Sequence, residues 1–497
     1  MASIGIELCN VGFQASVCEN NGPRLLAPGE PAGIPDWPGF AYHDNQKFWF
    51  GRPAEDVWFV HPRQVCHVFW DNLSHEASTL NAAGKTPSFS ELAFYFLRDF
   101  TAQLTAAAGP LEKVVLAVPS SYLKDAATED QKIGLLLGMA GELRLPLVGV
   151  MDMASAALCD PRGSGVNPAL PVVVVDIHLS GADISMHRAE GGRFERKDCT
   201  HLAPAGYVPL LKHLTAAMGN RFLKHTAFDI LEDGHIEQTF YRQTKDFMLS
   251  GAPEYRYQIN TSRRAYEMTA THEQLVADAT AFAGMLLHGV QALVHKMPDH
   301  AESVTVALTA RAACVPGLES RLRAAGFMRL LRLPGGAAAS GAALAAASRL
   351  QVQELSEIPV EISVPLAEVK RATGTPWEAH LQKARSTGPQ PQPTHVIIDG
   401  IGHGLGGNGS LTIGSVSACA DLALPESFNP AGDCLVQLQR EAGRLWFVDS
   451  ASAPAPSAAT RQTRTALETG DRLVVRCGSA AADLFFVHCH DLARPHS

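Results

Sequence analysis

Val172-Val173-Val174-Val175-Asp176-Ile177-His178-Leu179-Ser180-Gly181-Ala182-Asp183-Ile184-Ser185 decides how this chain is read. Four consecutive β-branched residues predict a strand buried on both faces, as in the middle of a parallel sheet. Asp176 closes that strand, a short turn through Ser180-Gly181 follows, and the alternation over Ala182–Arg188 predicts a second strand returning beside the first. Arg193-Phe194-Glu195 reads as a third pairing segment, and the charges of Arg193–Asp198 as a solvated turn. Upstream the same pattern has already occurred once. Ile4–Leu8 is strand-like, Ser88–Ala107 has helical spacing, Val114–Val118 is a buried strand stopped by Pro119, and Leu147–Val150 precedes the helix Ala154–Leu158. Downstream, Val208–Met218 and Glu273–Lys296 read as helices, Val304–Leu308 as a strand, and Ala337–Leu350 as an alanine-rich helix. Such alternation predicts parallel sheets flanked by helices, in two successive α/β lobes.

The 497 residues carry a net charge of −9 and are 46% apolar and 18% charged, an ordinary globular composition. That balance points to neither a nucleic-acid nor a membrane partner. The ten cysteines are scattered singly with no Cys-x-x-Cys pair, so no disulfide framework or zinc motif is legible. The first residues lack a signal-peptide pattern, and no apolar run reaches membrane-spanning length. A cytoplasmic location is expected. Residues 351–393 read as a linker, from Glu354, Glu357, Pro359 and Pro365 to the Pro/Gln-rich Ser386–Pro393. From Thr394 short strand patterns recur between Gly, Pro, Ser and Asp, predicting a C-terminal all-β sandwich over 394–497.

Five segments resemble, in order, the ATPase domain of the seventy-kilodalton heat-shock chaperones, members of the actin-like ATPase superfamily. Gly5–Val11 looks like the family's first phosphate loop, Gly-Ile-Asp-Leu-Gly-Thr-Thr. Val114–Tyr122 with Met151–Leu158 resembles its strand-Pro segment and the following Asn-Glu-Pro-Thr-Ala-Ala-Ala. Asp176–Ser185 is similar to the second phosphate loop, Asp-Leu-Gly-Gly-Gly-Thr-Phe-Asp-Val-Ser. Ala307–Pro316 stands where the adenosine loop does, and Ala338–Ala343 matches the closing helix. The resemblance implies a two-lobed actin-like ATPase fold over 1–350, with lobe I about 1–165, lobe II about 166–335 and a closing helix 337–350. It implies ATP or ADP with magnesium as the cofactor. It assigns nucleotide contacts to Glu7, Cys9, Asn10, Asp176, Gly181, Asp183, Thr309 and Arg311. Magnesium-bound water falls to Glu7, Asp152 and Asp176, with Asp152 and Asp176 catalytic if the protein hydrolyses ATP.

The departures weigh against hydrolysis. Phosphate loops aim backbone N–H groups at oxygens and rely on glycine for left-handed backbone and close approach. Here Cys9-Asn10-Val11, His178-Leu179-Ser180 and Thr309-Ala310 replace those glycines. The family's lysine would align near Trp70 or Asp71, and no lysine lies between Lys47 and Lys85. Losing that cation removes transition-state charge stabilisation.

The tail resembles a forkhead-associated domain at Leu411–Gly414, Asp421–Leu424, Leu445–Ser450 and Leu467–Leu473. Its phosphothreonine-binding Arg is Ser415 here, and Ser417, Asn429 and Asp433 flank the expected site; the nearest cations are Arg440, Arg444, Arg461 and Arg464. Phosphopeptide recognition needs an Arg fork. These features together predict a heat-shock-like pseudo-ATPase acting as a scaffold, its protein partners meeting the β domain and the lobes. The alternatives are a working ATPase switch and a phosphopeptide-binding adaptor. Gly402–Gly407 matches a dinucleotide fingerprint only formally, because a strand-like segment and not a helix follows it. His488-Cys489-His490 reads as a strand end, with Cys489 on the face opposite the histidines.

Overall fold

The computed structural model describes residues 2–19, 22–26, 36–44, 46–80, 86–160, 162, 166, 170–262, 264–296, 304–349, 357–365, 377–384, 391–398, 400–405, 409–414, 422–424, 436–441, 443–449, 463–477 and 480–488. The chain is mixed α/β with an antiparallel β region towards its C-terminus. It divides into two compact units, Met1–Asp160 with Val166–Val369, and Lys370–Ser497 with Pro161–Gly165.

Two six-stranded sheets build the first unit. One runs Val360–Glu361, Leu147–Asp152, Leu111–Val118, Ala2–Glu7, Gln14–Glu19, Gly22–Leu26; the other runs Arg329–Arg332, Thr305–Leu308, Val172–Ile177, Ala182–Glu190, Arg193–Leu202, Ser363–Pro365. With the strands of each sheet numbered along the chain and the late strands 360–365 left aside, both sheets have the order 5-4-1-2-3. In both, strands 5, 4 and 1 are parallel and strands 1, 2 and 3 antiparallel. The valine run Val172–Val175 is wholly excluded from solvent, as its two-sided burial requires. The same unit also carries the helices Tyr207–Thr226 and Gly234–Ser250 and the hairpin Glu254–Asn260 with Ala265–Thr271.

The helix Ala337–Ser348 reads as alanine because it must come very close to the first sheet. A Cβ on Gly5 would stand 2.1 Å from the Ala339 carbonyl oxygen, and one on Gly341 would stand 1.9 Å from that of Ala156. Only glycine opposite alanine allows both approaches. Helix His272–His295 is long and apolar enough to cross a membrane, unlike any run picked out in the sequence. Its apolar stripe, Leu275, Phe282, Leu286, Val290 and Leu293, is buried within the first unit.

The expected linker 351–393 needs correction. Val360–Glu361 joins the first sheet beside Leu147–Asp152, Ser363–Pro365 pairs with Arg193–Glu195, and Trp377–Gln382 pairs with Arg472–Cys477 in the second unit. The prolines that suggested a linker tolerate edge positions, where no ladder N–H is required. The unit boundary falls between Val369 and Lys370.

The second unit has two five-stranded sheets, antiparallel except where Ile413–Gly414 runs parallel to Leu422–Ala423. Val396, Ile398, Val475, Leu484 and Phe486 from one sheet share a core with Ile413, Leu438, Leu445, Phe447 and Leu467 from the other. Asp471, fully buried, accepts hydrogen bonds from Lys383 Nζ at 2.7 Å, Glu468 N at 2.8 Å and Ala384 N at 2.9 Å, fixing the turn before Arg472–Cys477.

Candidate functional site

The duplicated topology brings the ends of the two first strands face to face. Glu7 and Cys9 end and follow Ala2–Glu7; Asp176 and His178 occupy the corresponding places in Val172–Ile177. Cys9 Sγ lies 3.5 Å from the Ile177 carbonyl oxygen and 3.7 Å from His178 Nδ1. Asn10 Oδ1 accepts the Leu179 backbone N–H at 2.7 Å. Asn10 Nδ2 donates to Asp71 Oδ1 at 2.7 Å, and Ser180 Oγ donates to Asp71 Oδ2 at 2.6 Å. An acid therefore stands where the resemblance placed a lysine.

The carboxylates are all engaged. Arg311, which follows strand Thr305–Leu308, donates to Glu7 Oε1 at 2.5 Å and to the Gly12 carbonyl at 2.5 Å. Glu7 Oε2 also accepts the Ala339 N–H at 3.3 Å. Asp152 caps the helix Met153–Ala157 through Ser155 N at 2.8 Å and takes Ser120 Oγ at 2.7 Å and Arg196 Nη1 at 2.6 Å. Asp176 accepts Thr309 Oγ1 at 2.9 Å. Asp183 bridges His178 Nε2 at 3.2 Å and His201 Nδ1 at 2.7 Å, and accepts the Ser121 N–H at 2.8 Å. Gly181 supplies the carbonyl that takes the His178 N–H at 2.7 Å and closes the turn.

Burial sets the electrostatics. It opposes charge on His178, yet Asp183, Cys9 and Asp176 hold its pKa well above the usual histidine range. Burial likewise opposes charge on Asp183, which His178 and His201 nevertheless push far below the carboxylate range. Burial raises Asp176 against the pull of His178 and Arg311.

The segments at Cys9, Leu179 and Thr309 come together, and none of their non-glycine residues has left-handed backbone. Among the described residues only Arg144 and Ala227 are non-glycine residues with positive φ. Ordinary backbone at these positions does not form the left-handed nest that aims successive N–H groups at a phosphate. The helix after the second loop closes over it. Tyr207 N and Val208 N donate to the His178 and Leu179 carbonyls at 2.9 Å each, and a Cβ on Gly206 would stand 2.2 Å from the Ser180 backbone.

Beside the joint, Glu7, Gln14, Tyr207, Thr309, Arg311 and Gly336 line a cavity of about 70 Å³. Small-molecule pockets run to roughly 300–1,000 Å³. A second cavity of about 730 Å³ shares Ala310, Cys314, Leu333 and Gly335 with the first, and the carboxylates that the resemblance assigns to magnesium-bound water, Glu7 and Asp152, already hold arginines. Cys9, His178 and Asp183 also align as thiol, imidazole and carboxylate, but Cys9 is fully buried and no lining residue of the cavity belongs to that row.

Arg196 is the main functional residue that sequence reading missed. Its cluster was read as a solvated turn, yet Arg193–Leu202 is a strand and Arg196 is buried on Asp152 and the Ser120 and Leu123 carbonyls. Its signal was alternation, since Arg196 shares a face with the fully buried Phe194.

In the second unit Ser415, Ser417, Asp421, Asn429, Asp433, Ser450 and Arg461 lie outside the described residues, as do Gly406, Gly407, Cys489 and His490. Arg440 donates to the Pro393 carbonyl at 2.5 Å, and Arg464 pairs with Glu441 at 3.2 Å. Arg440 and Arg444 flank the hairpin turn at Gly443. Ile401–Gly404, within the formal dinucleotide fingerprint, is a strand paired with His395–Ile398.

Fold and site together define a duplicated α/β protein whose facing strand ends form a buried, internally paired polar joint. No family model matches the chain, and no curated protein matches it.

Proposed function

We propose that this chain is an actin-like protein of the heat-shock-chaperone type whose nucleotide cleft has become a fixed interlobe joint, and that it acts as a protein-interaction scaffold and not as an ATPase. The observation carrying this reading is the occupation of the cleft by the protein itself. Glu7 and Asp152 hold Arg311 and Arg196, and Asp183 holds two histidines. The common 5-4-1-2-3 order of the two sheets supports the actin-like assignment. Partners of protein character are the expected ligands, without nucleic acid or membrane. The forkhead-associated-like unit supports this with the edge strand Ile401–Gly404, where Ile401 is 63% exposed, since an open edge can accept another strand. Phosphopeptide reading is not favoured, because Arg464 is paired with Glu441 and Arg440 with the Pro393 carbonyl.

Steady-state ATP turnover tests the proposal. Purified full-length protein with magnesium is expected to show no turnover above a no-enzyme control. Robust turnover that disappears in Asp176→Asn would overturn it.

A further inference from the structure

Three donors of different chemistry converge at the joint. Cys9 Sγ, an Asp176 carboxylate oxygen and an imidazole nitrogen of His178 all lie within 4.8 Å of one another, and all three residues are buried. Cys9 comes from lobe I, and Asp176 and His178 come from lobe II. A tetrahedral zinc ion with S and N legs of about 2.3 and 2.0 Å holds those atoms about 3.5 Å apart. Cys9 Sγ and His178 Nδ1 stand 3.7 Å apart, so binding asks for almost no movement of that pair.

The surroundings have the order that metal ligands need. A ligating imidazole normally donates its other ring N–H to a carboxylate, which fixes the ring and the tautomer. His178 Nε2 meets Asp183 Oδ2 at 3.2 Å, and Asp183 is held in turn by His201 at 2.7 Å. The ligating carboxylate is fixed as well, since Asp176 Oδ1 accepts Thr309 Oγ1 at 2.9 Å and Ile177 N at 3.0 Å.

We propose that Cys9, Asp176 and His178 form a divalent transition-metal site that clasps the two lobes together. The mixed thiolate, imidazole and carboxylate donor set selects zinc over magnesium or calcium, which prefer oxygen alone. Coordination displaces the thiol proton of Cys9 and any proton on His178 Nδ1, both released to solvent. Thiolate and carboxylate together neutralise the ion, and three protein ligands leave one tetrahedral position for water. The site rests on the facing strand ends and stands whether or not the proposal about ATP does.

The test uses full-length protein stripped by chelator and titrated with Co²⁺ as a spectroscopic stand-in for zinc. One equivalent is expected to give the visible bands of tetrahedral cobalt with a near-ultraviolet thiolate-to-cobalt charge-transfer band, both lost on adding Zn²⁺. Cys9→Ser is expected to abolish the charge-transfer band, while Cys18→Ser retains it. Asp183→Asn is expected to weaken cobalt affinity by about 10–100-fold, the usual effect of removing an outer-shell partner. Absence of the charge-transfer band in folded wild-type protein overturns the proposal without recourse to any variant. So does a band that survives Cys9→Ser. ATP titrated into the same samples reads the nucleotide question separately, because saturable ATP binding alongside an intact cobalt band would refute the pseudo-ATPase reading alone.

Discussion

Arg196→Met separates a structural Asp152 from a catalytic one. The Arg196 side chain is 5% exposed and that of Asp152 is fully buried, with 2.6 Å between Nη1 and Oδ2. Two backbone carbonyls, of Ser120 and Leu123, accept from the same guanidinium at 2.9 and 2.5 Å. Truncating one member of a buried ion pair leaves the other charge uncompensated, at a cost of about 3–5 kcal/mol. Ser120 Oγ and the Ser155 N–H still solvate the Asp152 carboxylate, which places the expected loss near the lower end of that range. Asp152→Asn keeps the amide oxygen that caps the helix and removes the charge, so it too is destabilising. Arg196→Met/Asp152→Asn then removes both charges, and the pair should be less destabilising than the sum of the singles by about 1–3 kcal/mol, as for residues in direct contact. Urea denaturation of the four proteins, followed by tryptophan fluorescence, measures the cycle. A loss under about 1 kcal/mol for Arg196→Met, or additive singles, would refute the assignment of Arg196 as a tie between the two sheets.

Three further outcomes follow from particular contacts. Gly5→Ala, whose new Cβ would press on the Ala339 carbonyl, is expected to lower stability by about 1–3 kcal/mol or more, measured by the same denaturation; an unchanged midpoint would contradict the close approach. Burial depresses His187 to about 4, so the native state keeps it neutral while the unfolded chain binds a proton below the ordinary histidine value. Its contribution is complete above about pH 6.5 and is lost as pH falls from there towards 4, about 3 kcal/mol in all; His187→Gln should flatten that part of the stability–pH curve, and an unchanged slope would count against it. A phosphothreonine peptide library is expected to show no phosphate-dependent selection by the full chain, and selective micromolar binding lost on dephosphorylation would reverse that reading.

The fold was legible where burial leaves a simple mark on sequence. Val172–Val175 and Val114–Val118 are apolar because both faces of the sheet are covered, and each proved to be a central strand. Gln14–Glu19 and Gly22–Leu26 escaped notice, since their stretch mixes Gln, Ser, Glu and Arg and lies towards the sheet edge. Trp377–Gln382 was hidden in a Pro- and Glu-bearing stretch, because pairing across nearly a hundred residues leaves no local trace. At the site, the residue types at Glu7, Asp152, Asp176 and Asp183 could be picked out, but not their partners. Arg311 on Glu7 and Arg196 on Asp152 are contacts between distant segments. The Cys9–His178 approach was likewise invisible, as no spacing rule links residues 169 apart when topology alone opposes them.

Equilibrium nucleotide binding tests the central claim most directly. Isothermal titration of ATP and of ADP into the full-length protein, with and without magnesium, should give no saturable heat through the millimolar range, because the carboxylates that magnesium would need are already paired. Saturable micromolar binding that requires magnesium and is lost in Asp176→Asn would contradict the account.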